Sequence, residues 1–242
     1  MLHFTGRIIV IALSTALLGG CLIGGPGNSS GDPTSSGGSA GSANASNAGT
    51  PEPKKTAEPA KQVSKLEFDA AALPKELNFE GKIKSGARWS DSNGENILIV
   101  TEKTDRGADI STQRIWGYHY VVQDGGTKLL WKIQDYAENY CDAGKGLTSP
   151  VEVRDIDGDG VAESMFVYNI AGGCDVSPIP YKLMMHSGET KLAVRGANAV
   201  EIPGYKTRSE KNFDEAFERA PKEFRTAASE FWDKHVKPLR AE

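Results

Sequence analysis

Tyr118-His119-Tyr120-Val121-Val122-Gln123-Asp124-Gly125-Gly126-Thr127-Lys128-Leu129 decides the fold. Aromatic and β-branched residues fill its first half, an Asp-Gly-Gly turn follows, and an apolar run resumes from Lys128 to Ile133. Aromatic and β-branched side chains suit a pleated surface. Asp-Gly supplies the positive φ that a tight hairpin turn needs. The stretch therefore reads as two antiparallel strands. Just upstream, Asn96-Ile97-Leu98-Ile99-Val100-Thr101 reads as a third strand, bounded by Asn93-Gly94.

The same order recurs 63 residues later. Tyr181-Lys182-Leu183-Met184-Met185-His186-Ser187-Gly188-Glu189-Thr190-Lys191-Leu192 matches the first stretch at Tyr, Gly, Thr, Lys and Leu. Asp91-Ser92-Asn93-Gly94-Glu95-Asn96 before one strand mirrors Asp155-Ile156-Asp157-Gly158-Asp159-Gly160 before Met165-Phe166-Val167-Tyr168. Each unit reads as polar loop, strand, connection, hairpin. Repetition at such a period suggests duplicated sheet modules; the competing reading is that any two hairpins look alike at this level. Two units cannot close a propeller, so the expectation is one antiparallel sheet or two packed sheets.

The C-terminus changes period. Phe213, Phe217, Ala220, Phe224, Ala228, Phe231, Trp232 and His235 recur at three- and four-residue spacing, one apolar face of a helix. Pro221 disfavours helix at Ala220 and suits a helix start. The spacing predicts a short helix near 212–219 and a longer one near 222–236, packed on the sheet. The fold class is α+β, mainly β: antiparallel sheet built from two related units of about 63 residues, with C-terminal helices, in a single domain from 64 to 242.

The 242-residue chain carries 28 Lys+Arg against 32 Asp+Glu, a net charge of −4. A nucleic-acid binder shows a basic excess, so no nucleic-acid partner is expected. No Gly-rich phosphate loop appears, so none is expected for a nucleotide either. Residues 1–20 hold Arg7, no acid and an apolar run from Ile8 to Leu18, too short for a full span. Basic start, short apolar core and small-residue exit make a secretory signal. Its exit, Leu18-Gly19-Gly20-Cys21, resembles the bacterial lipobox, in which the chain is cut before the cysteine and the thiol is diacylglycerylated, with acyl chains such as palmitate. That resemblance implies lipidation at Cys21 and a membrane partner through the anchor. With Leu22 rather than Asp next, the outer membrane is the expected location where a cell has two. Cleavage leaves 27 basic against 32 acidic residues, a net charge of −5.

Residues 21–63 read as a tether. From 24 to 62, 32 of 39 residues are Gly, Ser, Ala, Pro, Asn or Thr, and none is aromatic, Val, Ile, Leu or Met. Such a segment buries too little apolar surface to offset its ordering entropy. A coil of this length reaches roughly 35 Å, enough to lift a domain clear of lipid. Gly37-Gly38-Ser39-Ala40-Gly41 matches a nucleophile-elbow pattern but lacks the flanking strand and helix that pattern needs. With Cys21 lipidated, Cys141 and Cys174 remain, and an exported even pair implies a disulfide. It stabilises by roughly 3.5 kcal/mol through loop closure.

The sharpest chemical feature is Asp155-Ile156-Asp157-Gly158-Asp159-Gly160-Val161-Ala162-Glu163. Hard oxygen ligands at this spacing can surround Ca2+: the carboxylates of Asp155, Asp157, Asp159 and Glu163, with the Val161 carbonyl between them. An EF-hand needs Glu at the twelfth position, which is Phe166. The loop resembles the calcium loops of FG-GAP and VCBS repeats, where D-x-D-G-D-G-x-x-[DE] leads into a strand. A solvated Asp/Gly turn that binds nothing is the alternative.

Longer motifs carry a second resemblance. Trp89-x-Asp91-x-x-Gly94-Glu95-Asn96, Leu98 to Glu102, Tyr118-His119-Tyr120, Leu129 to Lys132, Cys174 to Pro178, Lys182 to Met185, Lys191-x-Ala193-x-Arg195-Gly196 and Phe217-x-x-Ala220-Pro221-x-x-Phe224 run in order over roughly 77–236. The chain is similar in them to bacterial lipoproteins labelled surface polysaccharide biosynthesis proteins. The resemblance implies a cell-envelope protein linked to surface glycans, with a glycan or envelope protein as partner, and names no catalytic residue. The expected function is that of a surface-exposed, non-enzymatic, calcium-binding lipoprotein. A polysaccharide-acting enzyme and a structural spacer are the alternatives. Trp89, Trp116, Tyr118, Tyr120, Trp131 and Tyr136 are candidate sugar-stacking faces, though core packing competes for most of them. His119, His186 and His235 form no metal spacing or triad.

Overall fold

The computed structural model describes residues 62–240 apart from Asp124. The chain forms strands β1 (Ser64–Leu66), β2 (Lys82–Asp91), β3 (Gly94–Arg106), β4 (Ser111–Gln123), β5 (Gly126–Asn139), β6 (Gly146–Leu147), β7 (Glu152–Arg154), β8 (Glu163–Asn169), β9 (Pro180–Ser187), β10 (Thr190–Ala197), β11 (Val200–Ile202), β12 (Tyr205–Lys206) and β13 (Glu210–Phe213). Helices α1 (Ala216–Arg219) and α2 (Lys222–His235) follow, then strand β14 (Leu239–Arg240).

Two antiparallel sheets account for most of these strands. One runs β1-β2-β3-β4-β5; the other runs β13-β10-β9-β8-β6, with β7 also paired to β8. Of the two arrangements the repeat allowed, the molecule adopts two packed sheets. Each contains the same four-stranded meander, β2 to β5 in the first and β7 to β10 in the second. The two hairpins turn with the same pairing, but at an offset of 64 residues rather than the 63 of the sequence match. Gln123 pairs with Gly126 in the first, and Ser187 pairs with Thr190 in the second. A bulge interrupts the first hairpin between His119 and Tyr120.

Alternation along the strands builds three cores. Leu98, Val100, Ile115, Trp89 and Trp131 point inward and meet Phe166, Tyr168, Met184 and Ala193 of the second sheet. Their neighbours Ile97, Ile99, Trp116, Tyr118 and Tyr120 point the other way, under a cover supplied by Phe68, Leu73, Leu77 and Phe79. The Phe68 ring lies so close over Gly86 that a Cβ there would sit 2.1 Å from it. On the far side, Met165, Val167, Leu183, Met185, Leu192 and Val194 receive the helices. Every strand in the middle of the sandwich is thus buried on both faces, which explains near-continuous apolar runs such as Ile97 to Val100.

The helical stripe behaves as its spacing predicts. Phe224, Ala227, Ala228, Phe231 and Trp232 form the buried face of α2, and burying each large apolar side chain contributes about 1.5–3 kcal/mol. Pro221 caps α2, and Ala220 before it is extended, at φ −83° and ψ 162°. The first helix differs from expectation. It starts at Ala216 rather than near 212, because Glu210–Phe213 pairs with the open edge of β10, Phe213 opposite Val194. Asp214 ends that strand, its carboxylate accepting the Ala193 N–H at 3.0 Å.

The disulfide is formed: Cys141 and Cys174 have Cα atoms 5.3 Å apart. It joins the segment after β5 to the β8–β9 connection, and so ties the two sheets together. The expected tether boundary shifts by a residue at least, since Val63 already packs against the inter-sheet core. The signal segment, the lipidation site Cys21 and the tether up to residue 61 lie outside the described residues.

Candidate metal-binding loop

The acidic loop connects β7 to β8, in the place that the Asp91–Gly94 turn holds between β2 and β3. The two turns touch. Ser92 donates its backbone N–H to the Gly160 carbonyl at 2.8 Å, and Ala162 donates to Asp91 Oδ2 at 3.2 Å. Asp91 is buried and also accepts from Trp89 Nε1 at 2.9 Å and from the Asn93 N–H at 2.8 Å. The sequence repeat therefore has a structural consequence. The first unit's loop holds the second unit's loop, with Asp91 as the anchor.

Within the loop each aspartate folds the backbone around itself. Asp155 accepts from Gly158 N at 2.8 Å and from Gly160 N at 3.0 Å; Asp157 accepts from Asp159 N at 3.3 Å; Asp159 accepts from Val161 N at 2.7 Å. Gly158 and Gly160 have φ of 79° and 82°, a conformation that costs other residues strain. The result gathers one carboxylate oxygen from each of Asp155, Asp157 and Asp159 within 4.8 Å of one another. Calcium binds oxygens at 2.3–2.6 Å, so two ligands on opposite sides of one ion lie about 4.8 Å apart. Oxygens gathered within that distance can share one cation. Asp155 is half-buried and the other two are exposed.

Glu163 is placed differently from the three aspartates. It opens β8 and is fully buried. Its Oε2 accepts the Ile156 N–H from within the loop at 2.9 Å, while Oε1 has no partner. Burial, with Asp157 and Asp159 nearby, pushes its carboxyl up to about 7. A buried carboxylate oxygen without a partner is costly, and Glu163 is not among the three carboxylates that the loop gathers. Val161 presents its N–H to Asp159 and is half-buried.

Five of the six candidate stacking aromatics are core: Trp89, Trp116, Tyr118, Tyr120 and Trp131 are all buried, and Tyr136 alone is open, at 63%. His119 and His186 stand on inner strand faces and His235 on α2, as strand and helix residues. Two of them join a row that runs through the inter-sheet core. Trp89 and His119 have ring centroids 4.9 Å apart, His119 and Trp131 5.4 Å, and Trp131 and His186 3.7 Å, nearly parallel at 11°. His119 Nδ1, Trp131 Nε1 and His186 Nδ1 are enclosed without hydrogen-bond partners.

The row opens onto a polar cleft of about 440 Å³, which the reading of the sequence missed. Its signal was present as strand alternation: Lys182 and His186 on one strand, Lys191 and Arg195 on the next, all at positions of one face. Comparison with protein-family models, with curated proteins and with solved structures yields no match.

Proposed function

We propose that this protein is a lipid-anchored, non-enzymatic component of the bacterial cell envelope. Its folded domain binds Ca2+ at the Asp155–Glu163 loop and serves a surface-polysaccharide-associated role. The observation that carries the calcium reading is the convergence of one carboxylate oxygen from each of Asp155, Asp157 and Asp159 within 4.8 Å of one another. The lipobox resemblance at Cys21 and the glycine- and serine-rich tether support the anchored, displayed arrangement.

The described residues 62–240 lie in one compact unit that holds the buried core, and a chain of residues 55–242 suits the test. Extracellular calcium modules bind at about 10⁻⁴–10⁻³ M. At 10 mM Ca2+ mass action then adds about 1.4–2.7 kcal/mol, a rise in melting temperature of about 5 °C for a domain this size. Asp157→Ala removes the rise. Calorimetry that detects no Ca2+ binding refutes the site. For the anchor, metabolic labelling with palmitate tests the full chain, and label that persists in Cys21→Ala refutes lipidation there.

A further inference from the structure

The polar cleft lies where the second sheet extends past the edge of the first. Strand β5 is that edge, and Trp131, Ile133 and Asp135 of it form one wall. The floor is the inner face of β9 and β10, where Lys182 pairs with Arg195, Met184 with Ala193 and His186 with Lys191. Three cations therefore stand on one face, in a chain whose overall charge is −4.

Their pairing is uneven. Lys182 is engaged, with its Nζ 2.5 Å from Asp135 Oδ2, which also accepts from the Tyr168 hydroxyl at 2.9 Å. Among the described residues, Lys191 and Arg195 have no carboxylate partner, and both are exposed. Asp135 and, in the β9–β10 turn, Glu189 are the carboxylates lining the cleft. At the inner end stand Trp131 and His186, each at least nine-tenths buried and each with an unsatisfied ring nitrogen. The volume lies within the roughly 300–1,000 Å³ of small-molecule sites, but the lining is dominated by charged and hydrogen-bonding side chains, which suits a hydrophilic ligand.

We propose that this cleft binds an extended, hydrophilic ligand carrying at least two oxyanions, carboxylate or phosphate, held by Arg195 at one end and Lys191 at the other. The two residues are four positions apart on one strand, about 13 Å at the Cα atoms. A single oxyanion cannot contact both without bringing the two side chains together against their mutual repulsion, whereas a short oligomeric anion meets each in place. The positive face also concentrates anions that the rest of an acidic surface repels. Asp135 is held by Lys182 and Tyr168, which keeps the wall fixed and leaves the two free cations to the ligand.

The test is titration of the full chain, in EGTA so that the acidic loop plays no part, with trigalacturonate and tripolyphosphate. Galacturonate and phosphate serve as monomers and maltotriose as the neutral control. The expected result is saturable binding of at least one trimer, about fivefold or more tighter than its monomer, with none for maltotriose. Arg195→Ala and Lys191→Ala should each weaken it about fivefold or more, and bound trimer should shift the Trp131 indole N–H resonance. A preference for trigalacturonate identifies the carboxylate source, and a preference for tripolyphosphate the phosphate source. Where an alanine variant unfolds, Arg195→Gln and Lys191→Gln provide the same reading. The proposal is overturned if neither trimer saturates, if monomers bind as well as trimers, or if folded variants at both positions bind as the parent does. Calcium binding can fail while this succeeds, and the reverse.

Discussion

Replacing His186 with phenylalanine isolates the energetics of a neutral histidine enclosed between two sheets. His186 is 3% exposed, lies flat against Trp131 and has Lys191 opposite it on β10. Burial first, then the nearby His119 and Lys191, lowers its pKa from 6.5 to about 3. The folded value is depressed below the unfolded one, so the unfolded chain takes the proton first. The resulting stability is intact above about pH 6.5 and is lost progressively as pH falls towards about 3. At pH 4.5 the separation from 6.5 is about two units, a loss of about 2.7 kcal/mol at 1.36 kcal/mol per unit. Water entry and relaxation reduce this, so a range of about 1.5–3 kcal/mol is expected. His186→Phe keeps a flat ring against Trp131 and removes the titrating group. Its larger ring costs about 1 kcal/mol or more by crowding, but that cost does not change with pH. Urea unfolding of parent and variant at pH 7.5 and pH 4.5, in chloride buffers with EGTA, separates the two effects. The variant should lose less stability than the parent between these pH values, by about 1.5–3 kcal/mol. Equal losses, or a larger loss in the variant, would refute the reasoning.

Glu163→Gln should act in the opposite pH range. Its folded pKa is raised to about 7, so in chelator the parent is favoured below about pH 4.5 and loses up to about 3 kcal/mol as pH rises through 7. The variant should be the more stable of the two at pH 8 without calcium, and should gain less from calcium; a parent more stable at pH 8 in EGTA counts against a buried charge. Asp91→Ala leaves Trp89 Nε1 and the Ala162 N–H buried without their acceptor. A loss of about 3 kcal/mol is expected in urea unfolding, with a smaller thermal gain from Ca2+; an unchanged midpoint would show that the two loops stand without each other. Cys141→Ala combined with Cys174→Ala should lower stability by roughly 3.5 kcal/mol, and a non-reducing parent as labile as the double variant would contradict that.

Local pattern made much of this protein readable in advance. Strand alternation around Ile97 and Tyr118, the Asp-Gly-Gly turn, the three- and four-residue spacing from Phe224 to Trp232, and the Asp155–Glu163 run each depend on residues a few positions apart. Their geometry is set by backbone sterics and side-chain period. The cysteine pair was readable by count and compartment rather than by geometry. Four features needed the assembled sheets. Phe213 opens the helical stripe yet ends a strand, because the unpaired edge of β10 offers hydrogen bonds that one extra helical turn would not replace. Asp91 resembles Asp155 in sequence but became an anchor once the two turns met across the sandwich. Glu163 differs from the aspartates because β8 carries it into the interior. The cleft exists because the second sheet outruns the first at β5, an offset between faces that no stretch of either strand records. The sequence by itself determined the strands, the turns, the helical face and the acidic loop, since these follow from neighbours in the chain. Only tertiary structure decided which carboxylate is buried, which cations stand free and where the two sheets leave a gap, since those follow from which faces meet.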